Sequence, residues 1–336
     1  ARHEKARESI KFLAGDQWDP QAKADRLREK KPLLIFPKLN QFVDNVYGSM
    51  LQQRPAITVR PDDDVARRSK AKLSAGKRIS MANARAGLHR QIDAVNQAQI
   101  AYLNGYEGAL SWGFGSWRYR LANKSYSFDQ VIVIDPIWDP FAVVWDASST
   151  DIVNRDAKHC WIFSPPIKRK EFEREYPGAA TVSWTPQATS GYMTDWVTKD
   201  GIVIAEWYVK RPKTFRLCEL SDRRIVRWDD NEEMIRDELQ KRGVTVIRAR
   251  EDKGHVITWY KMAGQDLLED PIELPGEHIP VVTCYGRRLW VEGKFEVRNL
   301  FEHAKDEQRV YNYSRTKATE KIALAPITPF IVGSTQ

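Results

Sequence analysis

The apolar residues of this chain change period at Gly113, and that change limits what the chain can fold into. Before it they recur every three or four positions. Leu39, Phe42, Val43, Val46, Met50 and Leu51 lie along one helical face, and Leu88, Ile92, Val95, Tyr102, Tyr106 and Ala109 along another. After it they alternate, as Trp117, Tyr119 and Leu121 do between polar neighbours, which is the two-residue repeat of a strand. Helices first and strands after them give an α+β fold.

The punctuation of the chain sets the expected elements. A helix over 1–31 is broken at Gly15–Pro20, and Leu33–Phe36 is held extended between Pro32 and Pro37. A helix over 38–53 stops before Pro55, a short strand covers 56–60, and a long helix runs from Val65 to Trp112 with a basic first half. That basic run (Arg67, Arg68, Lys70, Lys72, Lys77, Arg78) reads as a solvated face. Strands are expected at 116–121, 131–134, 141–145 and 159–163, a short helix at 168–176 and a Ser/Thr/Pro/Gly-rich loop at 181–198.

A compact αβ module follows. It has strands at 202–209, 214–220 and 224–228, a helix from Asp230 with a capping-box Glu233 that ends at Gly243, and strands at 244–249 and 255–261. Beyond Pro271–Pro280 come a strand at 281–285 and a long helix from Glu292 to Ala325, stopped by Pro326 and Pro329. Four regions result: 1–112 helical, 113–199 β-rich, 200–270 αβ, and 271–336 a strand with a long helix. Apolar runs are strand-sized, far short of the roughly 18 residues that span a bilayer, so no membrane partner is expected. The chain opens without Met and closes on no terminator, so it reads as a fragment of a longer protein.

Composition narrows the partners. A formal net charge of +8 favours polyanions without naming one. Twelve Trp residues suit either large subunit interfaces or a Trp-rich core. Cys160, Cys218 and Cys284 are few and scattered, which fits a reducing compartment and no disulfide scaffold.

The motifs of catalysis are missing. Gly76-Lys77 lacks the upstream glycine and the hydroxyl of a phosphate loop, and the glycines at 105, 108, 113 and 115 follow a helix instead of joining a strand to one. Asp62-Asp63-Asp64 cannot converge on one ion and reads as a helix N-terminal charge cluster. Asp135, Asp139, Asp146 and Asp151 read as turn residues. His159 and Cys160, adjacent on a strand, point to opposite faces, and His278 sits in a turn. No catalytic residue, metal site or cofactor is expected, and the chain reads as no enzyme.

Several stretches, in order along most of the chain, carry a resemblance. They are Phe42-Val43-Asp44-Asn45 with Arg54-Pro55 and Val59-Arg60-Pro61; Glu107–Trp117 with Gly-Phe-Gly-Ser-Trp-Arg; Trp145-Asp146 through Ser148-Ser149 to Asp156-Ala157-Lys158-His159-Cys160; Ile204-Ala205-Glu206-Trp207-Tyr208; and Gly276-Glu277-His278-Ile279-Pro280-Val281-Val282 with Tyr285-Gly286. The chain resembles the portal proteins of short-tailed bacteriophages. The resemblance implies a homo-dodecameric ring around a DNA conduit at one capsid vertex, assembled in the host cytoplasm and carried in the virion.

It also implies partners: double-stranded DNA without sequence specificity, the terminase motor, major capsid and scaffolding proteins, and a tail or head-completion adaptor. Fitted to that plan, 1–112 and the β-rich 113–199 form the wing, 200–270 the clip, and the last helix the stem or channel wall. The family's crown or barrel falls outside the chain. Between Tyr285 and Ala325 nine basic residues mix with six acidic ones, a modestly attractive wall for a polyanion that must slide. Arg309, Arg315, Lys317 and Lys321 are its DNA-channel candidates. Trp112, Trp117, Trp138, Trp145 and Trp161 are the subunit-interface candidates. The alternatives are a nucleic-acid-processing or binding protein, such as a metal nuclease, and a different virion connector or adaptor.

Overall fold

A computed structural model describes residues 2–53, 57–61, 75–179, 201–221, 225–228, 243–264 and 266–325. The chain divides into two compact units, Ala1–Pro140 with Thr283–Gln336, and Phe141–Val282. The first holds helices α1 (Arg2–Leu13), α2 (Pro20–Arg28), α3 (Lys38–Gln52), α4 (Ala75–Val95) and α5 (Ala98–Ser111), then strands β1 (Phe114–Asn123) and β2 (Gln130–Ile137). The second holds β3 (Val143–Trp145), β4 (His159–Phe163), α6 (Arg169–Glu175), β5 (Ala205–Leu220), β6 (Ile225–Trp228), β7 (Val246–Ala263), β8 (Asp266–Leu267) and β9 (Ile272–Leu274). Strand β10 (Val281–Tyr285) returns the chain to the first unit, which closes with β11 (Arg287–Val291), β12 (Lys294–Arg298) and α7 (Lys305–Leu324). The mixed helix-and-sheet class is the expected one.

In the first unit the expected break between α1 and α2 is capped. The Asp19 side chain accepts hydrogen bonds from the Gln21 and Ala22 amides, and Pro20 takes the first helical position. Leu39 and Val43 of α3 bury against Phe12 of α1 and Phe301, a small apolar core. Residues 57–60, expected as a strand, are irregular. Asp62–Asp64 and the basic residues up to Lys72 lie outside the described residues.

The single long helix expected up to Trp112 is interrupted at Asn96-Gln97, where Gln97 is left-handed (φ 48°). Asn96 explains the break. Its amide donates to Ile92 O (2.8 Å) and Ile132 O (2.9 Å), and its oxygen accepts from the Ile134 N–H (3.4 Å). A side chain bonded to the edge of β2 competes with continuation of the helix. The expected apolar stripe therefore splits: Leu88 and Val95 face solvent, while Ile92 and Tyr102 pack with Ala98, Ala101 and Ile134.

The glycine-dense segment is a contact between backbones. A Cβ on Gly115 of β1 would lie 2.4 Å from Gly105 O of α5, one on Gly105 would meet the Trp117 ring at 2.7 Å, and one on Gly108 would meet Phe114 O at 2.7 Å. Only glycine lets α5 lie this close to the sheet β10-β1-β2.

The long helix expected from Glu292 is corrected in its first third. Residues 287–298 form an antiparallel hairpin with Trp290 opposite Phe295. Glu292 (φ 48°) and Gly293 (φ 78°) supply the two positive angles of a type I′ turn. Trp290 and Phe295 meet edge to face at 4.5 Å, and Arg288 lies 4.0 Å over the Phe295 ring. The aromatic and β-branched cross-strand pairs hold the hairpin against its helix-forming residues.

In the second unit one seven-stranded sheet has the order β3-β4-β5-β7-β8, with β6 on β5 and β9 on β7. Four of the five short strands expected between 202 and 261 merge into two long ones, paired from Ala205–Met262 to Leu220–Val246. Pro212 and Gly254, residue types that weaken strand interiors, are accommodated. Pro212 falls between the stretches of β5 that pair with β4 (Ala205–Val209) and β6 (Arg216–Glu219), where one edge is open. Gly254 lies under the Phe215 ring, which a Cβ there would meet at 2.6 Å. Strands on both sides of the boundary expected at 199/200 share this sheet. Phe172 of α6 covers Ile202 and Ile204 on one face, and Trp161, Phe163 and Met262 cover Val203 and Ala205 on the other. The expected loop 181–198 and the helix expected from Asp230 to Gly243 lie outside the described residues.

Gly115→Ala should destabilise the first unit by about 1–3 kcal/mol through overpacking against the α5 backbone. A fall in the urea unfolding midpoint of the purified protein checks this, and an unchanged midpoint contradicts the close approach.

Candidate functional site

Helix α7 buries polar side chains and leaves large apolar ones outside. Gln308, Asn312 and Thr316, spaced by four residues, are buried on one face. They hold the extended segment 33–37 by its backbone. Gln308 donates to Phe36 O (2.7 Å), the Phe36 N–H donates to Asn312 Oδ1 (3.0 Å), and Thr316 donates to Leu34 O (3.4 Å). Asn312 Nδ2 donates to Gln17 Oε1 (2.7 Å), and Gln17 in turn donates to Phe12 O (3.2 Å). One turn further on, Glu320 pairs with Arg26 at 3.0 Å, and Arg26 also donates to Pro32 O. At the helix start, buried Lys305 meets Glu302 (3.0 Å) and Glu8 (3.7 Å). On the other side of α7, Val310, Tyr313, Ile322 and Leu324 are exposed.

The four basic candidates fall into two groups. Arg309 is bound inward, to Glu8 (2.8 Å) and Asp306 (2.9 Å), and lies 5.5 Å over the Phe12 ring. Burial opposes its charge, but the two carboxylates outweigh burial and hold its pKa above the usual value. Lys317 is half-buried and pairs with Glu320 at 3.5 Å. Arg315 and Lys321 are exposed, Arg315 with its guanidinium 5.4 Å over the Tyr311 ring.

The tryptophans also separate. Trp117 is half-buried, edge-on to Tyr102 at 5.4 Å, and donates to Tyr119 Oη (3.2 Å). Trp112 and Trp145 are half-buried, and the indole N–H of Trp112 is buried with no acceptor among the described residues. Trp161 stacks on Trp207 across two strands at 4.9 Å, and Trp207 continues the row to Tyr260 at 5.2 Å. Trp138, at 69% exposure, is the most open of the five.

Sequence reading missed the Gln308–Asn312–Thr316 ladder and the partners Trp207 and Tyr260. The four-residue spacing of amide and hydroxyl residues in 308–316 was the available signal for the first. The second needed the strand register.

Of the aspartates read as turn residues, Asp146 and Asp151 accept local amides in the 146–158 loop, as does Asp156, whereas Asp135 lies within strand β2 opposite Arg118. Asp156 accepts from Ser149 Oγ (2.6 Å), Thr150 N (2.7 Å) and Thr150 Oγ1 (3.0 Å). Burial pushes its carboxyl up, and these bonds outweigh burial and hold it far below the ordinary range. Asp151 is held down by the Arg155 amide, and Asp146 by the Ser148 amide. Asp135 pairs with Arg120 (2.5 Å) and Arg118 (3.7 Å). Among the described residues no group of three or more His, Cys, Asp or Glu side chains is placed to hold a metal ion. No described helix is long and apolar enough to cross a membrane.

Exposed apolar residues opposite a hydrogen-bonded helix face are of the kind met in subunits of larger assemblies. The chain belongs to the Phage P22-like portal protein family, whose model matches residues 1–336. A curated relative, described as "Portal protein" of Acyrthosiphon pisum secondary endosymbiont phage 1, is 25% identical over 353 aligned residues, covering 100% of this chain and 47% of the relative. The chain thus spans about half the length of the curated relative it matches.

Asn312→Leu keeps the branched shape but strands the buried Phe36 N–H and Gln17 Oε1, and should cost about 3 kcal/mol. Val310→Ala, on the exposed face, should change stability by less than about 0.5 kcal/mol. Equal urea midpoints for the two variants would contradict the buried polar ladder. The carboxylates of Asp146, Asp151 and Asp156 are depressed in the fold. Their contribution is therefore complete above the ordinary value of 3.8 and fades as pH falls below it through the folded values. Protection of the loop 146–158 amides, taken relative to their intrinsic exchange rate at each pH, should hold down to pH about 4 and fall below it, and a loss already near neutrality would contradict this assignment.

Proposed function

We propose that this chain is part of a portal ring subunit, one of about twelve copies that enclose the DNA conduit at a single capsid vertex. The observation that carries the reading is the match of the whole chain to one portal family. The polar-in, apolar-out build of α7 supports it, because a helix that satisfies its polar face within its own chain leaves its outer face for a neighbour or for the channel. In this reading the protein acts in genome packaging with the terminase motor, in retention and ejection of the DNA, and in tail attachment through an adaptor. It meets major capsid and scaffolding proteins during assembly in the host cytoplasm. Its role is structural, with no catalytic step and no cofactor.

The first unit would build the wing and the channel side. The long β5–β7 pair with β6, within the region assigned to the clip, would face the adaptor. Of the DNA-channel candidates, Arg315 and Lys321 suit a sliding wall best, since each exposed cation adds a weak contact that depends on salt and not on sequence. Arg309 and Lys317 would hold α7 in place through their carboxylate partners. Trp138 is the tryptophan best placed to anchor a neighbour. Trp112, Trp117, Trp145 and Trp161 would act mainly by stiffening the subunit.

Native mass measurement with negative-stain imaging of the full-length protein tests the reading. Closed rings of about twelve subunits with a central hole are expected, and a protein that stays monomeric with scaffolding protein present would overturn it. Arg315→Glu combined with Lys321→Glu should leave rings intact and lower the DNA packaged per particle several-fold. Unchanged packaging would remove both residues from the channel.

A further inference from the structure

The β1–β2 hairpin reaches past the helices that cover its base. Near the base, Trp117, Tyr119 and Ile134 pack with Ala98 and Ala101 of α5. The same face continues one pair further, to Leu121 opposite Ile132, and there both side chains are exposed at 44% and 43%. Val95, at the end of α4 beside the Asn96 that bonds to Ile132, is 77% exposed. The hairpin ends in a tip that stands wholly outside the unit, with Tyr126 at 109% and Phe128 at 105% exposure.

The tip is built, not loose. Lys124 N donates to Asp129 O (2.9 Å), Ser127 N to Lys124 O (3.1 Å), Ser127 Oγ to Asp129 Oδ2 (2.8 Å), and Asp129 N to Ser127 Oγ (3.1 Å). Within this frame Tyr126 takes a left-handed backbone (φ 59°), a conformation that Gly or Asn adopts with less strain. Two aromatic rings held in water by a pre-ordered turn, one of them on a strained backbone, have the character of an interface anchor. The charges at the tip, Lys124 and Asp129, balance, so it has the chemistry of a contact with an apolar protein surface and not with a polyanion.

We propose that Tyr126 and Phe128, backed by Leu121 and Ile132, seat on a neighbouring copy of this chain. The proposal rests on the ring reading above. A ring closes through heterologous contacts, in which each subunit offers two different surfaces. The first unit has a projecting tip of one kind and, separately, a helix α4 that presents Met81 and Leu88 to the outside.

The test uses full-length protein with the photoreactive p-benzoylphenylalanine at position 128, prepared from a mixture of light and heavy isotope-labelled chains. Irradiation of the assembled protein should give covalent dimers whose cross-linked peptides carry both labels. Rings that assemble but cross-link only within one chain, or to a different protein, would overturn the proposal and leave the ring reading standing. Wild-type protein that forms no ring would remove both. As a second arm, Tyr126→Ser with Phe128→Ser should lower ring recovery about tenfold at equal protein concentration with the monomer's melting transition unchanged. Full ring recovery in that variant would also overturn the proposal.

Discussion

The first unit depends on a set of hydrogen bonds from one helix to a strip of extended backbone. Residues 33–36 lie between two prolines and take part in no sheet, so their amides and carbonyls need partners from elsewhere. Gln308, Asn312 and Thr316 supply them, and Arg26 with Glu320 extends the same seam to Pro32. Such a network brings less net stability than apolar packing of equal size, but it fixes register, because a one-residue slip would leave several buried groups unpaired. Residues almost 300 positions apart, such as Asn312 and Gln17, are tied in this way. The small apolar core of Phe12, Leu39, Val43 and Phe301 then packs beside a helix whose rotation is already set.

That rotation sorts the exposed surface. With its polar side inward, α7 presents Val310, Tyr313, Ile322 and Leu324 together with Arg315 and Lys321. In the proposed ring such a surface would be needed, since the entropy of association must be offset by apolar contact made only in the assembly. A conduit also needs cations that are present but not clustered. The ion pairs of Arg309 and Lys317 leave Arg315 and Lys321 exposed, which in the proposed conduit would keep attraction to a polyanion modest.

Much of the fold was legible in the sequence. The change of period at Gly113 coincides with the passage from α5 to β1, and the Gly15–Pro20 break, the β4 strand and helix α6 fall where their local signals put them. What was not legible depends on partners distant in the chain. Asn96 ends a helix because β2 offers it an edge, and Phe215 fills the space over Gly254 so that β7 runs on. The 287–298 hairpin was hidden by helix-forming residues and declared only by Glu292-Gly293. The candidate site shows the same limit. Basic residues on the last helix could be named from sequence, but the acidic partners of Arg309 lie on α1 and in the helix's own first turn. Tryptophan density pointed to aromatic contacts, and strand register decided that Trp161 meets Trp207 of its own chain.

A reconstruction of the assembled full-length protein at side-chain resolution tests the central claim most directly. The account predicts a closed ring in which Gln308, Asn312 and Thr316 still hold residues 33–37 of the same subunit, with Arg315 and Lys321 outside that seam. An assembly that is not a ring, or a ring in which α7 has turned its polar face away from that segment, would contradict it.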